Sequence, residues 1–177
     1  DPRFRERIEA FAAAAGAYTE PRRGVFAEAH GSHSYRGAVT FMVGYLAFGL
    51  IRHHRLTGSP QTLRLLAQTA AGLFAEARTA PGRFRYSPFP ENNYTGGGVW
   101  QTRSWNALVG GLAGYLFHVT GDPQHAAWAR ECYDGIAEES ADPQTSLDML
   151  TTAGWMLEAV SRGPGAAGRR ADRERST

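Results

Sequence analysis

Thr57-Gly58-Ser59-Pro60-Gln61 returns as Thr120-Gly121-Asp122-Pro123-Gln124, with the two prolines 63 residues apart, and Asp1-Pro2-Arg3 stands 58 residues before Pro60 as a third, partial copy. Each position has a mechanical job between two helices. Gly58 and Gly121 can take the left-handed conformation that ends a helix. Ser59 and Asp122 can accept hydrogen bonds from the free amides of the next helix. Pro60 and Pro123 suit the first helical position, where no amide donor is needed. A unit recurring at about sixty residues predicts an array of antiparallel helical hairpins. The chain opens inside such a junction, so it is expected to be a piece of something longer.

The stretches between junctions alternate in character. Residues 2–18 and 60–78 carry amphipathic stripes (Phe4, Ile8, Phe11, Ala15; then Leu63, Leu66, Ala70, Leu73), as does 123–139 with Trp128, Cys132, Tyr133 and Ile136. Residues 37–56 and 104–119 are apolar on every face, and Gly110, Gly111 and Gly114 permit close helix approach. A last helix over 143–161 is capped by Asp142. Fully buried helices alternating with half-exposed ones predict two concentric layers. The fold class is therefore all-α, a partial α/α toroid of antiparallel hairpins with inner (buried) and outer (amphipathic) helices, over residues 1–161. Residues 162–177, rich in Arg, Gly and Ala, are expected to form a disordered tail.

Composition bounds the function. The 177 residues suffice for one well-packed domain, and no apolar run is long enough to span a membrane. From Arg162 onward there are five Arg against two acids, and before it fourteen basic residues against fifteen acids, so the folded part is neutral and no nucleic-acid footprint is expected. All nineteen basic residues are Arg, which GC-rich bacterial codon usage explains. The lone Cys132 lies on an apolar stripe and supports neither a disulfide framework nor a thiolate metal site.

Inner-to-outer connections are the tight Gly-Ser-Pro and Gly-Asp-Pro turns, while outer-to-inner connections are long, at 19–36 and 79–103. Because the hairpins point the same way, both long connections should emerge at one end, and function belongs there. The second connection interleaves aromatic rings with Arg83, Arg85, Glu91, Asn92, Asn93, Gln101 and Arg103 before Trp105. Flat rings beside multidentate hydrogen-bonding groups suit a sugar, so Trp100, Gln101, Arg103, Asn92, Asn93 and Trp105 are the candidate substrate-binding residues. Sealing of the barrel end is the competing role for Phe84, Phe89 and Trp105. Gly96-Gly97-Gly98 lacks the sequel of a phosphate loop. The first connection supplies His30, His33 and Tyr35, which with Tyr94 could move a proton at neutral pH. Glu91 completes the catalytic candidates; Glu20, Glu28, Asp142 and Asp148 are further carboxylates that hydrolysis could recruit. Two histidines do not make a metal site, and no metal or cofactor is expected. His53 and His54 sit in Arg52-His53-His54-Arg55 at a helix C-terminus, where the helix dipole accounts for them.

The buried helix followed by Leu56-Thr57-Gly58-Ser59-Pro60, and again by Val119-Thr120-Gly121-Asp122-Pro123, resembles the helix pairs of six-hairpin carbohydrate-active enzymes, the α/α-toroid glycoside hydrolases and polysaccharide lyases. The segment Trp100-Gln101-Thr102-Arg103-Ser104-Trp105 is similar to their sugar-facing stretches. The resemblance implies a saccharide or polysaccharide ligand. For a lyase it implies proton abstraction by His or Tyr beside a uronic carboxylate neutralised by Arg or a metal; for a hydrolase, two acids. Three hairpins are half of a closed toroid, so the rest of the parent chain or a partner domain would complete it. An exported bacterial protein is the favoured setting. The alternative is a non-catalytic helical scaffold or protein-interaction module. A terpenoid-cyclase-like toroid lacks its Asp-rich metal motif here.

Overall fold

The two junctions fold as near copies of one another. In the computed structural model, which describes residues 2–17, 28–30, 35–37, 39–86, 101–102, 105–137 and 154–163, Gly58 has φ 67° and Gly121 φ 69°. Their amides donate to His54 O at 2.7 Å and Phe117 O at 2.8 Å, closing the preceding helices. Thr62 N–H donates to Ser59 Oγ (3.3 Å), and Gln124 N–H donates to Asp122 Oδ1 (2.9 Å). The threonines add a clamp that composition did not announce. Thr57 Oγ1 donates to His53 O at 2.9 Å and accepts from Ser59 N–H at 3.2 Å. Thr120 Oγ1 does the same with Leu116 O at 2.7 Å and Asp122 N–H at 3.2 Å. One hydroxyl thus satisfies an orphan carbonyl on one helix and an amide leading into the next.

The protein is mainly helical. Its helices are α1 (Pro2–Ala17), α2 (Thr40–Thr57), α3 (Pro60–Gly72), α4 (Asn106–Thr120), α5 (Pro123–Ala137) and α6 (154–162). At its C-terminus α3 widens into a π-helical turn, Leu73–Ala77. Short antiparallel strands form in the connections between the helices. β1 (Glu28–His30) pairs with β2 (Tyr35–Gly37), so α2 starts at Thr40 rather than at Gly37. β3 (Arg78–Ala80), β4 (Arg83–Arg85) and β5 (Gln101–Thr102) make a three-stranded sheet in that order. Gly82, at φ 61°, turns β3 into β4, a conformation that costs a residue without Cβ little.

α4 is the centre of the fold. Every residue from Asn106 to Leu116 is buried, and α4 packs against α5, α2 and α3. Its glycines set the spacing. A Cβ at Gly110 would stand 2.7 Å from Cys132 Cβ on α5 and from Met156 Sδ on α6; one at Gly114 would stand 2.6 Å from the α6 backbone at Trp155 and Met156. Helix α2 is not buried on all sides as its composition predicts. Met42, Tyr45, Arg52 and Leu56 form an exposed stripe along it, Met42 at 44% and Leu56 at 68%. Helix α1 presents most of its length to solvent and meets α2 through Glu9, beside His53, and through Phe11, whose ring lies over Gly49.

The start of the second long connection is fixed in place. Glu131 Oε1 accepts from Gly82 N–H at 3.0 Å and from Arg78 Nε at 2.7 Å, and Asn106 Nδ2 donates to Gly82 O at 2.9 Å. Gly82 and Gly135 meet backbone to backbone: a Cβ at Gly82 would be 2.9 Å from Gly135 Cα. Two absent side chains let the β3–β4 turn lie flat on α5.

Candidate functional site

Helices α2 and α4 run in the same direction, and contacts at both ends establish it. At their N-termini the rings of Phe41 and Trp105 are 6.1 Å apart, with Tyr86 within 6.1 Å of the first and 5.7 Å of the second. At their C-termini His54 Nδ1 lies 2.6 Å from the Tyr115 hydroxyl. The N-terminus of α2 is also tied to the second connection: Thr40 N–H donates to Tyr86 O (2.9 Å) and Thr40 Oγ1 to Arg85 O (2.6 Å). The chain arriving at α2 and the chain leaving β4 are therefore held side by side, at the end opposite the Gly58 and Gly121 turns.

Of the residues singled out from sequence, His30 and Tyr35 are brought together as direct cross-strand partners of β1 and β2. Gln101 pairs with Arg85 across β4 and β5. Trp105 is 8% exposed, its indole covered by Phe41 and Tyr86, so it offers packing area rather than an open face to a ligand. Phe84 is fully buried and meets Phe74 edge-on at 5.4 Å. His33, Glu91, Asn92, Asn93, Tyr94, Trp100 and Arg103 lie outside the described residues, as do Glu20, Phe89, Asp142, Asp148 and residues 164–177. Asn106, at the first turn of α4, is completely buried, and its Oδ1 makes no hydrogen bond among the described residues.

The histidines at the turn end do more than answer a helix dipole. His53 is 2% exposed and uses both ring nitrogens: Nδ1 lies 2.9 Å from Thr62 Oγ1 and Nε2 3.1 Å from Glu9 Oε2. Through its two ring nitrogens His53 ties α2 to both α3 and α1. Beside it runs a groove of about 720 Å³ between α1 and α3, lined by Glu9, Gly16, Gln61, Arg64 and Gln68. His53 and Thr62, each almost wholly buried, form part of its wall. Burial lowers the pKa of His54, with its neighbour His53 adding to the effect; burial raises that of Tyr115, against the opposing pull of Arg55. Neutral His54 accepting from the Tyr115 hydroxyl is the arrangement both shifts favour. Tyr115 in turn meets Trp155 of α6 at 5.0 Å, with Arg55 over the same indole at 5.7 Å. The Arg52-His53-His54-Arg55 run contained a signal for this: adjacent residues on a helix point about 100° apart, so two histidines in succession must serve different neighbours.

The second junction has its own histidine. His125 Nδ1 lies 3.2 Å from Thr120 Oγ1, and its ring is 5.6 Å from Trp128, which stacks on Phe74 at 4.5 Å. Burial lowers its pKa, opposed by the Asp122 carboxylate. Burial pushes the Cys132 thiol well above its usual range, as suits a packing residue. Among the described residues no group of three His, Cys, Asp or Glu is placed to hold a metal ion, and no helix is long and apolar enough to cross a membrane. The chain matches no protein-family model, no curated protein and no solved structure.

Proposed function

We propose that this chain is a segment of a carbohydrate-active enzyme, a glycoside hydrolase or polysaccharide lyase built on an α/α toroid, and that it binds saccharide at the end where its long connections meet. The observation that carries the reading is the parallel run of α2 and α4, tied by Thr40 to Arg85 and Tyr86 and by Phe41 to Trp105. Parallel inner helices joined by short turns at one end oblige the long connections to share the other. Those connections hold the chain's densest mixture of rings, arginines and amides. In this reading His30 or Tyr35 moves a proton, Trp100 stacks on a sugar ring and Arg103 holds a carboxylate or hydroxyl.

The test is titration of neutral and uronic-acid polysaccharides into the protein, followed by calorimetry and indole fluorescence. Binding that is lost in Trp100→Ala and Arg103→Ala, with circular dichroism unchanged, is the expected result. A folded protein that binds no glycan of either class overturns the proposal. A second reading, a non-catalytic interaction module, draws support from the burial of Trp105 and Phe84, rings that pack instead of facing outward. Burial of Trp100 against fluorescence quenchers, with no glycan effect, favours that reading.

A further inference from the structure

The first junction carries a chain of hydrogen bonds that its second copy lacks. Thr62 Oγ1 lies 2.9 Å from His53 Nδ1, and His53 Nε2 lies 3.1 Å from Glu9 Oε2, so α3, α2 and α1 each supply one member. The three groups are a hydroxyl, an imidazole and a carboxylate. The counterparts of His53 and Thr62, 63 residues on, are Leu116 and His125, and that junction closes with the same glycine, cap and proline. Leu116 is fully buried, as His53 nearly is. A leucine therefore serves the fold at this position, whereas burying an imidazole costs free energy unless its nitrogens are bonded. The hairpin geometry does not call for the histidine.

The Thr62 hydroxyl also differs from others on the helices. Thr57, Thr69 and Thr120 each donate to the carbonyl one turn back, at His53, Leu65 and Leu116. Thr120 Oγ1 comes within 3.2 Å of His125 Nδ1, but its proton is already given to Leu116 O at 2.7 Å. Thr62 Oγ1 instead meets a ring nitrogen able to take its proton. His53 and Thr62 both border the groove of about 720 Å³ between α1 and α3. The α1 wall is made of small residues, and nothing stands within 4 Å of where a Cβ of Gly16 would be. Gln61, Arg64 and Gln68, at i, i+3 and i+7 on α3, edge the groove with exposed amide and guanidinium groups. Thr62 is the third residue of α3, so charge developing beside its hydroxyl lies at the positive end of that helix.

We propose that Thr62, His53 and Glu9 are a nucleophile, its base and the carboxylate that orients the base, and that the groove takes a carboxylic ester bearing a carboxylate or hydroxyl for Arg64 and the glutamines. An ionised carboxylate only accepts hydrogen bonds, so Nε2–H faces Glu9 and the Nδ1 lone pair is left for Thr62. Thr62 Oγ1 bonds to the ester carbonyl carbon as its proton passes to Nδ1, and the α3 N-terminus steadies the oxyanion. The tetrahedral centre then expels the alcohol, whose oxygen takes that proton. Water attacks the acyl-threonine, its proton passing through Nδ1 to Oγ1, and the carboxylic acid leaves. This site lies at the Gly58 end of the hairpins and stands independently of the saccharide reading.

The test uses the 177-residue chain and two probes. A fluorophosphonate, which loses fluoride and stays on the nucleophile, should leave one phosphonyl group on Thr62, located by mass spectrometry of the digested protein. Turnover of 4-nitrophenyl acetate should fall at least about 100-fold in Thr62→Val and in His53→Gln, with Thr62→Ser retaining it. Glu9 acts through His53 and is a positioning residue; its side chain is half exposed, so Glu9→Gln leaves the fold intact. That variant should lose about tenfold or more in kcat at unchanged KM, a split that mere loosening of α1 does not produce. His118→Gln, a histidine outside the groove, should change nothing. An unaltered protein that takes no phosphonyl group, or takes it elsewhere, overturns the proposal whether or not the buried variants fold. So does turnover that survives Thr62→Val, or a Glu9→Gln protein with kcat unchanged.

Discussion

Replacing Gly114 with Ala sets helix propensity against packing, and the structure says which wins. In isolation the exchange favours the helix by about 1 kcal/mol, because Ala loses less backbone freedom than Gly. The new methyl, however, would stand 2.6 Å from Met156 N and from the Trp155 carbonyl carbon and oxygen, where ordinary contact begins at 3.4 Å. Those atoms are backbone, so no rotamer can relieve the overlap, and α6 must retreat by about 0.8 Å, the difference of those two distances. Retreat loosens Met156, fully buried, and the 5.0 Å contact of Trp155 with Tyr115. Overpacking of this kind costs about 1–3 kcal/mol net, which for a chain of this size lowers Tm by roughly 2–10 °C. Gly16→Ala is the control: it is also helical but meets nothing within 4 Å, so it should raise stability by about 0.5–1 kcal/mol. Thermal and urea unfolding followed by circular dichroism compare the two. If Gly114→Ala proves as stabilising as Gly16→Ala, the close approach of α4 and α6 is refuted.

Thr57→Val and Thr120→Val each remove a hydroxyl that bridges a carbonyl and an amide across a junction. Each should cost about 1 kcal/mol in urea unfolding, and Thr120→Val the more of the two because its hydroxyl also meets His125 Nδ1 at 3.2 Å; a larger loss for Thr57→Val would count against this account. The pH dependence follows from His54 and His125, whose pKa values are both lowered, chiefly by burial. Unfolded histidine titrates near 6.5, so the unfolded chain takes up protons first. The stability contributed by these two neutral rings is fully present above that pH and declines as pH falls through their lower folded values. The urea midpoint should drop between pH 7.5 and 5.5, and a His54→Phe, His125→Phe double variant should flatten that slope; an unchanged slope would remove both histidines from the account.

What sequence alone determined here is local. The left-handed glycines, the Ser59 and Asp122 caps and the prolines at helix starts all act within a few residues along the chain, so Gly58 and Gly121 could be placed without knowing what surrounds them. The burial of α4 was also legible, because eleven consecutive residues without a charge leave no side to give to water. Tertiary structure decided the rest. Helix α2 reads much like α4, yet it leaves Met42 and Leu56 exposed, because an apolar face is buried only where another element arrives to cover it. His53 and His54 read as a basic cluster and turned out to serve Glu9, Thr62 and Tyr115, partners 44, 9 and 61 residues away. The pairing of His30 with Tyr35 depends on a hairpin register that two- and three-residue patterns do not fix. Trp105, grouped with the sugar-facing residues by composition, is enclosed by Phe41 and Tyr86, because a ring's identity says nothing of which rings surround it. Periodicity and capping are written in neighbours along the chain, whereas the exposure of a face and the company of a side chain belong to residues that only the fold brings near.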